Sequence, residues 1–99
     1  MLFFLLRLYG PRADFVQTMT EDERALMLRP GDYLRGWMDK GKVIVFGLVA
    51  DPAGPWGMGV VQVESTDELN AITAGDPTMT SGLGFRYETV PMPRAVTRH

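Results

Sequence analysis

Residues 43–64 read VIVFGLVADPAGPWGMGVVQVE, and this stretch says most about the fold. Residues 43–49 are rich in β-branched side chains and apolar at almost every position, which is typical of a strand covered on both faces. A turn-rich segment follows over 51–57, and residues 58–64 are expected to form the next strand. The stretch therefore predicts a β-hairpin with a long tip.

Upstream of the hairpin, the sequence predicts one strand and one helical region. Residues 2–9 have the apolar content and the length of a strand. Thr20 and Glu23 have the capping-box spacing, so a helix is expected from there to about Lys40, with Gly41 as its stop. Pro30 interrupts this region because proline removes a helix hydrogen bond, and it predicts either a kink or a second helix that opens at Pro30.

Downstream of the hairpin, the same succession is expected again. Residues 65–68 repeat the capping-box spacing, and a helix over 66–74 is expected to end at Gly75. Asp76 and Pro77 are expected to begin a loop. The last strand is expected over 84–90, closed by Pro91. The resulting order is βαββαβ, which is the ferredoxin-like arrangement.

The fold class expected from this order is α+β, with a four-stranded antiparallel sheet and two helices on one face. A chain of 99 residues fits one domain. We expect that domain to cover residues 1–93 and residues 94–99 to form a basic, flexible tail.

Composition and charge exclude several classes of partner. The formal net charge of −2 argues against nucleic-acid binding, which requires a basic surface. The apolar start of the chain is interrupted by Arg7, has no charged segment before it, and is followed by no small-residue cleavage site. It is also too short to span a bilayer. We therefore expect a strand there, a cytoplasmic protein, and no membrane partner.

The chain lacks the residues that most catalytic and metal sites use. It has no cysteine, and its single histidine is the terminal His99. A Ser/His/Asp or Cys/His nucleophile needs an imidazole held in place, and zinc is bound mainly by His and Cys. Carboxylates, arginines or tyrosines must then carry any chemistry, and we expect neither a resident metal nor a cofactor.

Several short motifs, taken in order, resemble the small YCII-related proteins. These motifs are MLFFLLRLY at 1–9, RPGDYL at 29–34, GKVIVFG at 41–47 and DP at 76–77. The family's helix motif has a histidine where this chain has Asp32, and the Gly-Pro after its second strand is Gly47-Leu48 here. The resemblance implies the ferredoxin-like fold and, because the family belongs to the dimeric α/β-barrel group, a homodimer. Apolar residues on both faces of the first two strands also favour a second copy as a cover.

In the YCII-related family, a histidine and an aspartate are proposed to act as a pair. The resemblance implies that Asp32 and Asp76 occupy these two positions here. If the two converge, mutual repulsion would leave an acid beside a base, which suits proton transfer. They could also hold a divalent cation. The structural alternative is that Asp32 pairs with Arg29 or Arg35 and that Asp76 caps the turn at Pro77.

Arg7 and four aromatic residues are the remaining candidates for ligand binding. Arg7 interrupts a mostly apolar strand, so it needs an anionic partner, either an internal carboxylate or that of a ligand. Tyr33, Trp37 and Phe46 could line a cavity, but their spacing also fits core packing. Trp56 lies in a Gly/Pro loop, where a large aromatic residue often plugs a neighbouring surface or a pocket mouth.

Two functions therefore remain open at this point. The first is a small-molecule enzyme that performs carboxylate-based proton transfer, of the isomerase or lyase kind, on a small organic acid or ring compound. In it, Asp32 and Asp76 are catalytic and Arg7 anchors an anion. The alternative is a non-catalytic ligand-binding or accessory module in which these acids are structural.

Overall fold

The computed structural model describes residues 1–98, so His99 of the expected basic tail lies outside the described residues. The sheet has four antiparallel strands in the order β2-β3-β1-β4, and this confirms the α+β, ferredoxin-like prediction. The strands are β1 (Leu2–Tyr9), β2 (Val43–Val49), β3 (Trp56–Val63) and β4 (Arg86–Met92). The helices are α1 (Phe15–Thr18), α2 (Glu21–Leu26), α3 (Pro30–Asp39), α4 (Thr66–Gly75) and α5 (Pro77–Thr80).

Three separate helices lie between β1 and β2. The short α1 precedes Thr20, where the first helix was expected to begin. Of the two alternatives for Pro30, the second helix is confirmed, because α3 begins at this proline. Proline fits a first helical turn since its missing N–H would have no partner there. Gly41 follows α3 with φ of 78°, a left-handed conformation that glycine adopts without steric cost.

Three boundaries after the hairpin differ from the predictions, and one of them is the start of β4, which is at Arg86 and not at residue 84. The loop expected at Asp76-Pro77 was wrong, because Asp76 instead caps a further helix, α5, in which Pro77 takes the first position. The expected end of β4 at Pro91 was also wrong, since Pro91 lies inside the strand and opposite Phe4. Strand β4 is an edge of the sheet, where proline is tolerated because one side of the strand makes no ladder bonds.

The helices pack on one face of the sheet and leave the other face without a helical cover. Side chains alternate along a strand, so Leu6 and Leu8 of β1 point to the helices while Arg7 and Tyr9 point to the opposite, helix-free face. Among residues 1–98, no helix is long and apolar enough to cross a membrane. The main core cluster consists of Leu6, Val43, Val61, Val63, Leu69 and Ile72.

A second, smaller core is closed by an ion pair between the buried Glu23 and the partly exposed Arg12. Phe15 and Phe85 meet edge to face with ring centroids 5.1 Å apart, and Leu26 packs beside them. Glu23 is buried near this cluster and accepts hydrogen bonds from Arg12 at 2.6 and 3.0 Å. It also accepts from the backbone N–H of Thr20, which completes the predicted capping box of α2. The bonds from Arg12 lower the pKa of Glu23 to about 2.

Glu23→Gln is expected to destabilise the protein in a pH-dependent way. A carboxylate with a lowered pKa in the folded state stabilises that state fully above its unfolded pKa, and this contribution is lost as the pH falls through the folded value. The free-energy difference between wild type and variant should therefore be largest near neutral pH and shrink below about pH 4.5. Urea unfolding at pH 7, 5 and 3 measures it.

Glu21→Gln, an exposed change in the same helix, is the matched control and should show a much smaller difference at pH 7. An unfolding free-energy difference for Glu23→Gln that stays constant from pH 7 to pH 3 would contradict the role given to the pair.

Candidate functional site

An apolar cleft of about 300 Å³ lies between α3 and the helix-facing side of the sheet. The sheet contributes Leu6, Phe46 and Leu48, while α3 contributes Pro30 and Leu34. Among the described residues that line the cleft, Tyr87 is the one side chain with a hydroxyl group. The volume suits a small molecule of about one ring, near the lower limit for ligand pockets.

Next to the cleft, Asp76 is a fully buried carboxylate that accepts three hydrogen bonds, with at least one to each oxygen. Its Oδ1 accepts from the backbone N–H and from the hydroxyl of Thr78, both at 2.8 Å. Its Oδ2 accepts from the hydroxyl of Tyr87 at 2.5 Å. A buried carboxylate is tolerated only when donors of this kind replace the lost water.

The local sequence explains half of this arrangement, and the strand pairing explains the rest. Asp76 before Pro77 is a helix N-cap, so the bond from the Thr78 N–H follows from the local pattern. Tyr87 belongs to β4 and pairs with Leu8 of β1. The alternation of side chains along the strand directs it to the helix-facing side of the sheet, as it does Leu8. Burial, and secondly its bond to Asp76, raises the pKa of Tyr87. Tyr87 is therefore a neutral phenol at physiological pH.

Tyr33 joins α3 to the end of α4 close to this carboxylate. Its hydroxyl donates to the carbonyl of Ile72 at 2.7 Å. Ile72 belongs to the last turn of α4, where backbone carbonyls have no partner within the helix, so Tyr33 supplies one. Burial raises the pKa of Tyr33, and the nearby charge of Asp76 adds to the effect. The hydroxyl therefore holds two helices together and does not face the cleft lining.

The structure does not bring the two predicted catalytic acids together. The side chain of Asp32 is 85% exposed and forms an ion pair with Arg35 at 3.4 Å. Asp76 is fully buried and its partners are Thr78 and Tyr87. Neither acid lines the apolar cleft, and Asp76 reaches it through Tyr87. The contacts of both residues match the structural alternative, an ion pair for one and a cap for the other.

Apart from Tyr33, the predicted ligand-binding residues lie in three different places. Phe46 lines the cleft, whereas Trp37 packs against the core beside it with Lys40 over its ring. Arg7 and Trp56 lie on the helix-free face, with the Arg7 guanidinium 5.4 Å from the Trp56 ring centroid. The placement of Trp56 in the loop was wrong, because it is the first residue of β3 and pairs with Val49. The anionic partner of Arg7 is Glu88, directly opposite on β4, and not either of the two aspartates.

Sequence reasoning missed Tyr87 and Thr78. A period-two pattern in β4 puts Tyr87 on one face, but the pattern does not say which face the helices cover. Thr78 follows the capping aspartate at a favourable spacing, and this signal was available in the Asp-Pro-Thr segment. Among residues 1–98, no three His, Cys, Asp or Glu side chains cluster as metal ligands.

Comparison with known proteins places this geometry in a family. The model of the YCII-related domain matches residues 1–93, and the chain therefore belongs to the YCII-related family. No curated protein matches the chain.

One solved structure with the same fold is 5-chloro-2-hydroxyhydroquinone dehydrochlorinase (TftG) from Burkholderia phenoliruptrix AC1100, in complex with 2,5-dihydroxybenzoquinone. It is 23% identical, and the match covers 89% of this chain and 91% of that one with a TM-score of 0.53. At this level of identity the likeness shows a shared fold.

Gly75→Ala is expected to lower the free energy of unfolding by about 1–3 kcal/mol through overpacking. A Cβ at this position would lie 2.6 Å from the Tyr33 hydroxyl oxygen and 3.4 Å from its ring carbon Cζ. The clash therefore depends on the hydroxyl. In the Tyr33→Phe background the same glycine substitution should cost clearly less.

A double-mutant cycle by urea unfolding measures this coupling. Tyr33→Phe alone should cost about 0.5–1.5 kcal/mol because it removes the hydrogen bond to Ile72. Additive effects of the two substitutions would contradict the proposed contact between Tyr33 and the end of α4.

Proposed function

We propose that this protein binds a small hydroxylated ring compound in the apolar cleft and transfers a proton from the ring hydroxyl to Asp76 through Tyr87. The observation that carries the proposal is the position of Tyr87, which lines the cleft while its hydroxyl donates to a fully buried carboxylate. An apolar cleft with one polar group favours a flat ring whose hydroxyl meets that group. The family and the hydroxylated ring bound by the dehydrochlorinase of the same fold support this ligand class.

Tyr87 can relay a proton to Asp76 because its own hydroxyl proton is already hydrogen-bonded to that carboxylate. Its hydroxyl donates to Asp76 Oδ2, so its oxygen can only accept from a ligand. When a ring hydroxyl donates to Tyr87, the ligand proton moves to Tyr87 while the Tyr87 proton moves to Asp76. The ring then carries the negative charge of an enolate, and a carbon beside the oxygen takes up a proton from water, while the hydroxide left behind takes the proton from Asp76. This is proton transfer of the isomerase or lyase kind.

In this proposal Asp76 keeps the role expected of it, and Asp32 serves as a control. Asp32 lies on the exposed side of α3, beside Arg35 and outside the cleft lining. Phe46 contributes an apolar wall for the ring. The second candidate is the non-catalytic binding module. It is favoured by the three hydrogen bonds that Asp76 accepts, which a purely structural cap would also have.

Resorcinol is a suitable probe because it is a single ring with two hydroxyl groups and is uncharged at neutral pH. We expect it to bind more tightly than 1,3-dimethoxybenzene, which has no donor for Tyr87. In deuterated water, the protein should also accelerate exchange of the ring C–H positions beside the oxygens. Tyr87→Phe and Asp76→Asn should each lower the exchange rate by about 100-fold or more, while Asp32→Asn leaves it unchanged. Isothermal titration and proton NMR provide the two readouts.

The outcomes separate the two candidates. Tight binding without accelerated exchange in the wild type would replace the enzyme with the binding module. Equal affinity for resorcinol and its dimethyl ether would remove the role of Tyr87. Tyr87→Phe keeps both hydrogen bonds from Thr78 to Asp76, so the cap of α5 stays intact in this variant. A loss of exchange in Tyr87→Phe is therefore not explained by loss of that cap, which Asp76→Asn alters.

We also propose that the helix-free face packs against a second copy of the chain. Phe3, Leu5 and Val60 lie on this face and remain partly exposed in the single chain. A half-exposed apolar sheet face of this kind favours an isologous partner. Sedimentation equilibrium should then give twice the chain mass of 11.0 kDa. A particle of single-chain mass at micromolar concentration would refute the homodimer.

A further inference from the structure

A second recess, of about 630 Å³, lies on the helix-free side at one end of the sheet. It is closed by residues 10–13 on one side and by the hairpin tip on the other. Three arginines line it, Arg7, Arg12 and Arg86, against one carboxylate, Asp51. Because the apolar cleft faces the helices, this arginine recess is separate from it, and a ligand bound here would be independent of the chemistry proposed for the cleft. The recess lies at one end of the helix-free face, so binding here requires that the second copy proposed for that face leave this end open.

Two of the arginines are held in place by aromatic rings. The Arg86 guanidinium lies 4.3 Å from the Tyr9 ring centroid, and the Arg7 guanidinium lies 5.4 Å from that of Trp56. Stacking uses the flat face of a guanidinium and leaves its N–H groups, which lie in the plane of the group, free to donate. The rings therefore orient these donors in advance, which reduces the entropy lost when an acceptor binds.

Donors in this recess remain without an acceptor. Arg12 makes four hydrogen bonds, two to Glu23 and one each to the carbonyl and the hydroxyl of Thr18. Arg7 binds Glu88 through Nη1, but its Nε is buried and has no hydrogen-bond partner. Within residues 1–98, Arg86 forms no ion pair with a carboxylate.

The acid in the recess does not neutralise these two arginines. Asp51 accepts from the backbone N–H of Ala53 at 2.9 Å and from Trp56 Nε1 at 3.1 Å, so its oxygens are directed to the hairpin tip. Arg7 lies opposite Glu88 and Arg86 lies opposite Tyr9, so the two arginines are diagonal neighbours on one face. Side chains in that relation are about 7–8 Å apart, a spacing that one small anion can bridge.

We propose that the arginine recess binds a small organic carboxylate. Its oxygens accept from the exposed guanidinium of Arg86 and from Arg7, whose side chain is 38% exposed, and its apolar body lies against Trp56 and the adjoining prolines of the recess. A carboxylate fits because two parallel N–H donors of a guanidinium match its two oxygens. The apolar body distinguishes this ligand from an inorganic anion.

Benzoate is the probe, and the two tryptophans of the chain provide the readout. In a ¹H–¹⁵N spectrum each indole gives one N–H signal, which Trp56→Phe assigns. Benzoate should shift the Trp56 signal in a saturable way and leave that of Trp37, which lies in the core on the other face, unchanged. Benzamide has the same shape without the charge, and acetate has the charge without the ring, so both should bind about tenfold more weakly or worse.

Arg86→Gln should weaken benzoate binding by at least about tenfold, because it removes a charged donor. Arg24→Gln, an exposed arginine of α2, is the matched control and should leave binding unchanged. Equal shifts with benzoate and benzamide, or unchanged binding in Arg86→Gln, would overturn the proposal. A third result would also overturn the proposal: the Trp56 indole signal shifts when the protein is diluted in the absence of benzoate, but does not shift when benzoate is added. That result would mean that a carboxylate of a second copy fills the recess.

Discussion

The buried carboxylate of Asp76 is the constraint on which the site depends. A carboxyl group without contact with water must form hydrogen bonds within the protein, and Asp76 receives them from Thr78 and Tyr87. The bonds from Thr78 start α5, and the bond from Tyr87 ties that helix to β4. Tyr33 then connects α3 to the last turn of α4, which ends next to Asp76. Together these bonds fix the wall of the cleft that contains the phenol.

The two faces of one sheet account for two recesses of opposite character. On β1, Leu6 and Leu8 face the helices and line the apolar cleft, whereas Arg7 and Tyr9 face away and line the arginine recess. The period of two along a strand separates these chemistries within four consecutive residues. The two ligands proposed above, an uncharged ring and an anion, would therefore contact opposite faces of the same strand.

Local patterns predicted the elements well where the signal lies within a few residues. The capping box at Thr20 is formed as expected, while Ser65 accepts from Glu68 but the Glu68 carboxylate turns to the N–H of Glu64. The break at Pro30 and the stop at Gly41 were also correct. Errors arose where position in the sheet decides the outcome. Pro91 is compatible with β4 only because this strand is at an edge, and no local pattern contains that information.

The site was harder to predict because its contacts are distant in sequence. The resemblance and the Asp-Pro motif singled out Asp76, but its partner Tyr87 is brought by strand pairing. The same applies to Arg7, whose partner Glu88 is 81 residues away. The expected pair of Asp32 and Asp76 rested on alignment with a histidine, whereas the side chain at position 32 points to solvent and binds Arg35.

The hydroxyl proton of Tyr87 reports directly on the link between the cleft and Asp76. In a proton NMR spectrum, we predict a Tyr87 hydroxyl signal that is shifted downfield and exchanges slowly with water, because the proton lies between a phenol and a buried carboxylate. The signal should be lost in Tyr87→Phe and should move upfield in Asp76→Asn, where the acceptor is neutral. A Tyr87 hydroxyl that exchanges as fast as that of a solvent-exposed tyrosine would contradict this link.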